Sequence, residues 1–188
     1  MRRNETILLT TIAGAAFIAA LVYYAKRNKK YIAMPTQVNP GSSSGSSAES
    51  TDYRKLAVGY RQNNPLNIRV NSANNWKGKI SPSDDPRFEQ FSDMAYGYRA
   101  AFILMRNHIK KGENTVAKLI STWAPANENH TNKYINFVCE QTGYLPATIL
   151  SPDNSTQLKN MAYAMSIFEN GWNPLPDKTK INKGWELL

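Results

Sequence analysis

An uninterrupted apolar segment lies near the start of the chain, at residues 7–25, ILLTTIAGAAFIAALVYYA, and it contains no charged residue. At a rise of about 1.5 Å per residue, a helix of this length reaches about 28 Å, which is enough to cross a bilayer once. Basic residues flank the segment, and Tyr23 and Tyr24 stand where aromatic side chains anchor helices at membrane interfaces. The pattern predicts that residues 1–30 form an N-terminal transmembrane anchor with basic flanks.

Two alternatives stay open for this segment, a cleaved signal peptide and a buried core helix. A signal peptide would have a shorter apolar region, and no small-x-small cleavage site precedes the basic cluster. Four Lys/Arg residues follow the segment and two precede it, so in a cell membrane the positive-inside rule places the C-terminal domain on the cytoplasmic side. The rule is hard to apply to the internal membrane of a virion. We expect a single-pass protein of a virion membrane or of the bacterial cell envelope.

The composition changes at residues 31–51, where the central stretch PGSSSGSSAES has no apolar side chain to bury beyond one alanine. Such a Gly/Ser-rich stretch is typical of a flexible linker. Residues 52–188 remain, and a segment of about 137 residues is long enough for one domain with its own core.

Within residues 52–188, apolar side chains recur at helical spacing over most of the length. We predict helices at 93–111, 114–123, 130–142, 155–169 and 180–187, and a short helix or extended segment at 53–62. Asn114 and Thr131 are the predicted N-caps of the helices that begin near them.

Residues 63–92 show a different pattern, rich in Asn, Pro and Gly. The segments LNIRV at 66–70, WKGKI at 76–80 and RFEQF at 87–91 are separated by turn-forming sequences and predict a small three-stranded meander. The predicted fold class is therefore α+β, a mostly helical domain with a small antiparallel sheet near its start.

The net charge of +9 is unevenly distributed, because residues 1–30 carry +5 and residues 31–188 carry +4. A mildly basic domain with interspersed charges is atypical of nucleic-acid binding, and we expect no nucleic-acid partner. A mild positive field also suits an anionic polymer such as peptidoglycan. Cys139 is the only cysteine and the two histidines lie far apart, so we expect no intrachain disulfide, no metal site and no cofactor.

Several short motifs resemble a known family: NPLNIR at 64–69, WKG at 76–78 and FEQF at 88–91. In lysozyme-like peptidoglycan hydrolases of the flagellar and autolysin glucosaminidase type, a segment of the form N-L-F-G-I-K is followed by W-x-G and then by a strand of the F-R-x-Y kind. HTNKYINFV at 130–138 is similar to a later segment of that family whose tyrosine lines the cleft, which puts Tyr134 at the tyrosine position. A similar order of motifs occurs in phage virion structural proteins and virion lysins.

In that family the catalytic glutamate precedes the N-L-F-G-I-K segment, at the end of a helix reading A-x-x-E-S-G-W-G. Here DYRKLAVGYRQN, upstream of Asn64, contains no glutamate, whereas AMSIFENGW at 164–172 resembles that helix end. The resemblance implies a circularly permuted lysozyme-like domain in which Glu169 is the catalytic acid. Permutation is structurally tolerable because domain termini often lie close together at the surface.

A carboxylic acid can donate a proton to a glycosidic oxygen near neutral pH only if its pKa is raised. Glu169 would face the negative end of a helix dipole, which disfavours its charged form. Without the resemblance, Glu169 is an exposed charge before an Asn-Gly helix stop. Glu89 and Glu128 are the candidates for a second carboxylate, although each is also explained as a solvated or structural charge. A one-acid mechanism is favoured, in which the N-acetyl group or the 6-hydroxyl of the substrate attacks.

The residues predicted to bind glycan are Asn64, Asn67, Arg69, Trp76, Tyr96, Glu128 and Tyr134. Amides can hydrogen-bond sugar hydroxyl and acetamido groups, flat rings stack on pyranose faces, and a guanidinium can meet a muramyl carboxylate. Structural alternatives stay open: ordinary turn chemistry for Asn64, backbone bracing for Asn67, and an ion pair for Arg69.

These features predict a membrane-anchored enzyme that cleaves the β-1,4 glycan backbone of peptidoglycan, as a glycosidase or lytic transglycosylase, in keeping with a phage virion-associated lysin. The alternative is a non-catalytic glycan-binding or structural virion membrane protein with a degenerate lysozyme fold. A third idea, suggested by the basic cluster after the apolar segment, is a DNA-contacting membrane protein. The expected partners are glycan strands and, through residues 7–25, a lipid membrane; virion capsid or membrane proteins are left open.

Overall fold

The computed structural model describes residues 56–125 and 131–188. The predicted anchor at 1–30, the predicted linker at 31–51 and the predicted site residue Glu128 lie outside these ranges. Within the two ranges, none of the helices combines the length and the apolar character needed to cross a membrane.

Helices predominate among the elements of the described residues. In chain order the elements are α1 (Val58–Arg61), β1 (Lys79–Ile80), β2 (Gln90–Phe91), α2 (Met94–Lys110), α3 (Val116–Trp123), α4 (Thr131–Thr142), α5 (Ser155–Asn170) and α6 (Lys178–Glu186). The predicted α+β class, mostly helical with a small antiparallel sheet, is confirmed at this level. The assignment to a lysozyme-like fold is more specific than the α+β class, and it stays a prediction.

The sheet described here has two strands rather than the three that the sequence predicted. β1 and β2 pair antiparallel, with Lys79 opposite Phe91 and Ile80 opposite Gln90. The predicted meander is therefore wrong by one strand.

The predicted strand LNIRV contributes only an isolated bridge between Arg69 and Phe88. Asn67, in the middle of the segment, has a φ angle of +50°, which a regular strand does not allow. The side chain of Asn64 occupies both backbone hydrogen-bonding groups of Ile68, at 2.9 Å each. Beside this side-chain network, the ladder is limited to two backbone hydrogen bonds, from the Glu89 N–H to the Ile68 oxygen at 2.9 Å and from the Val70 N–H to the Arg87 oxygen at 3.0 Å.

Two helices begin at other residues than the sequence predicted. The α3 cap is Thr115, whose hydroxyl accepts from the Lys118 backbone N–H at 3.2 Å, so the prediction of Asn114 is wrong by one residue. α6 begins two residues earlier than predicted because Asp177 accepts from the Thr179 N–H at 2.7 Å. These are small shifts of the kind expected at helix ends.

Helix α5 is central among the helices, because it packs against α1, α2, α4 and α6. Its buried face includes Leu158, Met161 and Met165, none of which has exposed surface. Tyr98 of α2 is also fully buried, and its hydroxyl lies 3.2 Å from the Ser166 hydroxyl of α5. Burial of each large apolar side chain stabilises the fold by about 1.5–3 kcal/mol, so the last turn of α5 has a well-determined position.

Candidate active site

Glu169 lies in the last turn of α5, and its carboxylate receives hydrogen bonds from two other parts of the chain. The Nδ2 atom of Asn67 donates to Oε2 at 2.9 Å. The hydroxyl of Tyr134 in α4 donates to Oε1 at 3.0 Å. The fold thus brings the predicted acid and two predicted glycan-binding residues together in one acid cluster (Glu169, Asn67 and Tyr134).

Asn67 reaches the acid from a loop with a left-handed backbone. Asn tolerates a positive φ better than most residues other than glycine. Asn64 holds this loop in place, because its fully buried amide also donates to the Glu89 carbonyl oxygen at 2.9 Å. Asn64 therefore serves as a brace, rather than as the predicted glycan ligand.

Tyr134 is fully buried, and its ring stacks on Phe168 with centroids 3.8 Å apart and planes 13° from parallel. Burial and the neighbouring Glu169 charge raise the pKa of the Tyr134 hydroxyl well above its usual value. The hydroxyl therefore remains protonated and serves Glu169 as a hydrogen-bond donor.

The surroundings of Glu169 shift its carboxyl group toward the neutral form relative to an exposed glutamate. Burial raises its pKa, and this effect outweighs the hydrogen bonds from Asn67 and Tyr134 and the charge of Arg69, which lower it. The position at the C-terminal end of α5 acts in the same direction as burial. Glu169 is not completely buried, and a carboxyl group with a raised pKa is suited to donate a proton.

The residue after the acid fastens the end of α5 to the loop. Nδ2 of Asn170 donates to the carbonyl oxygens of Pro65 at 2.7 Å and Ser166 at 3.0 Å. Gly59 of α1 packs against the same point, because a Cβ atom there would overlap Oδ1 of Asn170 and lie 2.8 Å from Oδ1 of Asn67. The sequence analysis missed Asn170. Its position beside the predicted acid at a helix end was the available signal.

Glu89, the predicted second acid, lies in a different environment. Its side chain is 1% exposed and is paired with Nζ of Lys79 at 3.0 Å. Its Oε1 accepts from the Asn71 backbone N–H at 3.2 Å. A buried, ion-paired carboxylate is suited to bracing the loop at 71–74 and poorly suited to meeting a substrate, which corrects the expectation for this residue.

The other predicted binding residues differ in exposure. Arg69 is exposed, and its guanidinium lies over the Phe88 ring at 5.4 Å from the centroid. Trp76 and Tyr96 are half-buried and pack against the core, and the Tyr96 ring also lies against Gly78. Trp76 and Tyr96 thus have structural contacts with the core, and Arg69 has one with the Phe88 ring.

A groove of about 500 Å³ lies next to the acid cluster, between the loop 67–74 and helices α2 and α3. Its lining includes Asn67, Arg69, Asn71, Asn74, His108 and Trp123. Trp123 is half-buried and packs against the core, and its indole N–H donates to the Leu66 carbonyl at 3.3 Å. Glu169 does not line the groove itself, and Asn67, which lines the groove and donates to Glu169, connects the two.

His108 and Cys139 are the histidine and the cysteine of the described residues, and neither belongs to the acid cluster. His108 pairs through Nδ1 with the Glu113 carboxylate, and burial raises the pKa of the Cys139 thiol. Within residues 56–125 and 131–188, no group of three or more His, Cys, Asp or Glu side chains is arranged to hold a metal ion.

Comparison with known proteins places the chain among bacteriophage proteins. No protein-family model matches it. Over 139 residues it is 37% identical to Protein P5 of Pseudoalteromonas phage PM2, and the match covers 72% of this chain and 84% of that protein. Similarity at this level over most of both chains indicates common descent, and the chain belongs to the family of phage PM2 Protein P5.

Proposed function

We propose that this chain is a virion-associated phage protein that cleaves the β-1,4 glycan backbone of peptidoglycan, with Glu169 as the general acid. The observation that carries the proposal is the partly buried Glu169, whose raised pKa and two hydrogen-bond donors suit proton transfer beside a groove. Relationship to a phage protein supports it, because a phage must pass the wall of its host.

In the proposed reaction, protonated Glu169 gives its proton to the glycosidic oxygen as the bond from that oxygen to the anomeric carbon breaks. The positive charge that develops on the sugar is captured by the N-acetyl oxygen or by the 6-hydroxyl of the same sugar. The Glu169 carboxylate then takes up a proton, from the water that opens the N-acetyl adduct or from the attacking 6-hydroxyl. One carboxyl group thus serves both proton transfers.

Asn67 and Tyr134 support both states of the acid. Each donates to one carboxyl oxygen, which fixes the orientation of the group before the transfer and stabilises the carboxylate after it. Because Asn67 and Tyr134 both donate to the carboxyl group, neither of them accepts the proton of neutral Glu169. That proton can then point toward the substrate.

Release of soluble fragments from purified sacculi by the full chain tests the proposal. Mass spectrometry of the products distinguishes anhydro ends, expected for attack by the 6-hydroxyl, from reducing ends, expected for hydrolysis. Sacculi that stay intact at any enzyme concentration would contradict the proposed activity.

A second candidate function is that of a structural virion protein that binds glycan without cleaving it. The observation that favours it is the relationship to a phage protein whose name, Protein P5, assigns no activity. Retention of the chain on purified sacculi, with no soluble product, is the result expected for this candidate.

Membrane attachment through residues 7–25 is part of both candidates. The support is the uncharged apolar run with basic flanks, which suits a protein of a virion membrane or of the cell envelope. Virion capsid or membrane proteins are the corresponding partners.

A further inference from the structure

We propose that the loop between α4 and α5 docks the domain on an anionic phospholipid surface. The contact is made by an apolar tip (residues 145–149) and by a lysine rim (Lys110, Lys111 and Lys118). The inference rests on the membrane attachment in the proposed function, which keeps the domain near lipid. Its own claim concerns which face of the domain meets the bilayer.

The apolar tip is strongly exposed to solvent. Leu145 is 71% exposed and Ile149 is 69% exposed, the highest values among the large apolar side chains that the structure describes. Pro146 and Ala147, which lie between them, are exposed as well. Apolar side chains grouped in this way typically mark a surface that contacts a membrane or another protein.

The conformation of the tip is fixed by hydrogen bonds. Leu145 and Thr148 close a turn, in which the Thr148 N–H donates to the Leu145 oxygen and the Leu145 N–H donates to the Thr148 hydroxyl, at 2.9 Å each. The carbonyl oxygens of Thr148 and Pro146 accept from Val116 at 3.2 Å and Ala117 at 2.9 Å, at the start of α3. The exposure of the tip is therefore built into an ordered turn, which loses little conformational entropy when it is covered.

The lysine rim lies beside the tip. Lys118 follows Ala117, whose N–H donates to the tip. Lys110 is the last residue of α2 and Lys111 is its C-cap, shortly before α3 begins. All three lysines are exposed. A basic residue close to an anionic membrane surface strengthens binding by about fivefold.

The carboxylates of this region leave the rim its positive charge. Glu113 pairs with His108, and Asp153 pairs with Arg106 at 2.7 Å. Glu140, in the last turn of α4, is in none of the ion pairs found among the described residues. Three lysines face this one unpaired carboxylate, so the face favours anionic over neutral lipid.

The rest of the chain supports lipid as the partner that covers the tip. The predicted anchor at 7–25 would hold the domain near a bilayer. Residues 31–55 lie between this anchor and the described domain, and a chain of that length can span up to about 80 Å. A tether of this kind makes a weak second contact effective. Without the anchor, the same contact is too weak to hold the chain on lipid.

Docking through the tip would orient the candidate active site. Gln157, in the first turn of α5, donates to the Ile149 oxygen at 3.1 Å and accepts from the Ser151 N–H at 3.0 Å, so the tip lies at the N-terminal end of α5. Glu169 lies in the last turn of this helix, up to about 24 Å away. The acid would then point away from the lipid, toward a polymer beyond it.

The test uses the full chain in phosphatidylcholine vesicles with and without phosphatidylglycerol. On a Cys139→Ser background, a nitrobenzoxadiazole label is attached at the tip through Ala147→Cys, or beyond the C-terminal end of α5 through Leu175→Cys. Leu175 is the matched control because it is an apolar residue with 54% exposure. With phosphatidylglycerol present, we expect brominated lipids to quench the label at position 147 at least about threefold more than the label at position 175.

Substitutions then assign the contact to the tip and the rim. Leu145→Ser combined with Ile149→Ser should abolish quenching at position 147, whereas Leu175→Ser should leave it unchanged. Lys111→Gln combined with Lys118→Gln should reduce it to the level seen without phosphatidylglycerol. Equal quenching of the two labels, quenching that does not depend on phosphatidylglycerol, or quenching that survives both serine substitutions in a folded chain would overturn the proposal.

Flotation and cleavage separate this proposal from the proposed function. A full chain that does not float with either kind of vesicle rejects both the membrane attachment and the docking. A chain that floats without quenching at position 147 retains the attachment and rejects the docking. Purified sacculi contain no lipid, so the chain with both serine substitutions should cleave them at the native rate, and absence of cleavage by the native chain rejects the proposed activity alone.

Discussion

At the scale of the residue, opposing effects act on the pKa of Glu169. Burial favours the neutral acid, whereas Asn67 and Tyr134 favour the carboxylate by donating to it. The sequence resemblance indicated Glu169 through its position at a helix end, but it did not show which neighbours would contact it. In the motif N-L-F-G-I-K a glycine stands where this chain has Asn67. Both residue types accept a positive φ, and only Asn adds a donor to the acid.

The roles expected for Asn64 and Glu89 show what residue types alone cannot decide. Both are polar residues in the motif region, so the sequence made them candidates for contact with a glycan. The structure buries Asn64 completely, within backbone hydrogen bonds, and gives Glu89 a lysine partner. Their roles depend on burial, which follows from packing between segments distant in sequence.

The native chain should lose stability relative to the Glu169→Gln chain as the pH rises from 4 to 8. Because burial raises the pKa of Glu169 in the folded state, its contribution to stability is full below the unfolded pKa, about 4.3, and is lost as the pH rises through the folded pKa. Gln does not titrate, and its amide can accept from Asn67 and donate to the Tyr134 oxygen. Melting temperatures across this range, with exposed Glu186→Gln as control, check it. A pH-independent difference contradicts it.

Replacing Tyr134 with Phe should lower the rate of glycan cleavage by on the order of tenfold and move the alkaline limb of its pH profile upward. The hydroxyl lowers the pKa of Glu169, so its loss keeps the acid protonated to higher pH. The matched control is Tyr144→Phe, whose hydroxyl binds Asn160. An alkaline limb that stays in place would show that the hydroxyl does not act on Glu169.

At the scale of the element, the site forms where the end of α5 meets α4 and the loop 63–67. Hydrophobic periodicity predicted the helices well, because each buries one apolar face. The conformation of the loop 63–67 could not be predicted from hydrophobic periodicity. It depends on the hydrogen bonds of the Asn64 side chain and on the left-handed backbone of Asn67, beside which the strand pairing is limited to the single bridge between Arg69 and Phe88.

Asn170→Ala should lower the free energy of unfolding by about 1–3 kcal/mol, because it leaves the Pro65 carbonyl without its donor and loosens the end of α5. Urea denaturation of the full chain measures the change. Asn160→Ala, on the exposed side of the same helix, should change stability by no more than about 0.5 kcal/mol. Equal effects of the two substitutions would contradict the proposed fastening.

At the scale of the whole molecule, the chain belongs to a phage protein family, and its sequence predicts an anchor and a linker before one domain. The division into these three parts is a prediction from composition. The acid cluster, in contrast, joins residues 35 and 102 positions apart in the chain. A single sequence contains no direct record of such contacts, and only the family resemblance predicted that they would meet.

Deletion of residues 2–30 should release the protein from membranes. The apolar run at 7–25 has the length and flanks of a spanning helix, so the full chain should float with lipid vesicles and resist alkaline extraction. The shortened chain should remain in the aqueous fraction. Flotation of the shortened chain with vesicles would contradict an anchor in this segment.

The measurement that tests the role of Glu169 most directly is cleavage of purified sacculi by the native chain, by Glu169→Gln and by Glu186→Gln, each confirmed to be folded. Loss of a general acid costs about 100-fold or more in rate. We therefore predict that Glu169→Gln releases at least about 100-fold less soluble glycan, while Glu186→Gln matches the native chain. Release by Glu169→Gln at the native rate would contradict the account.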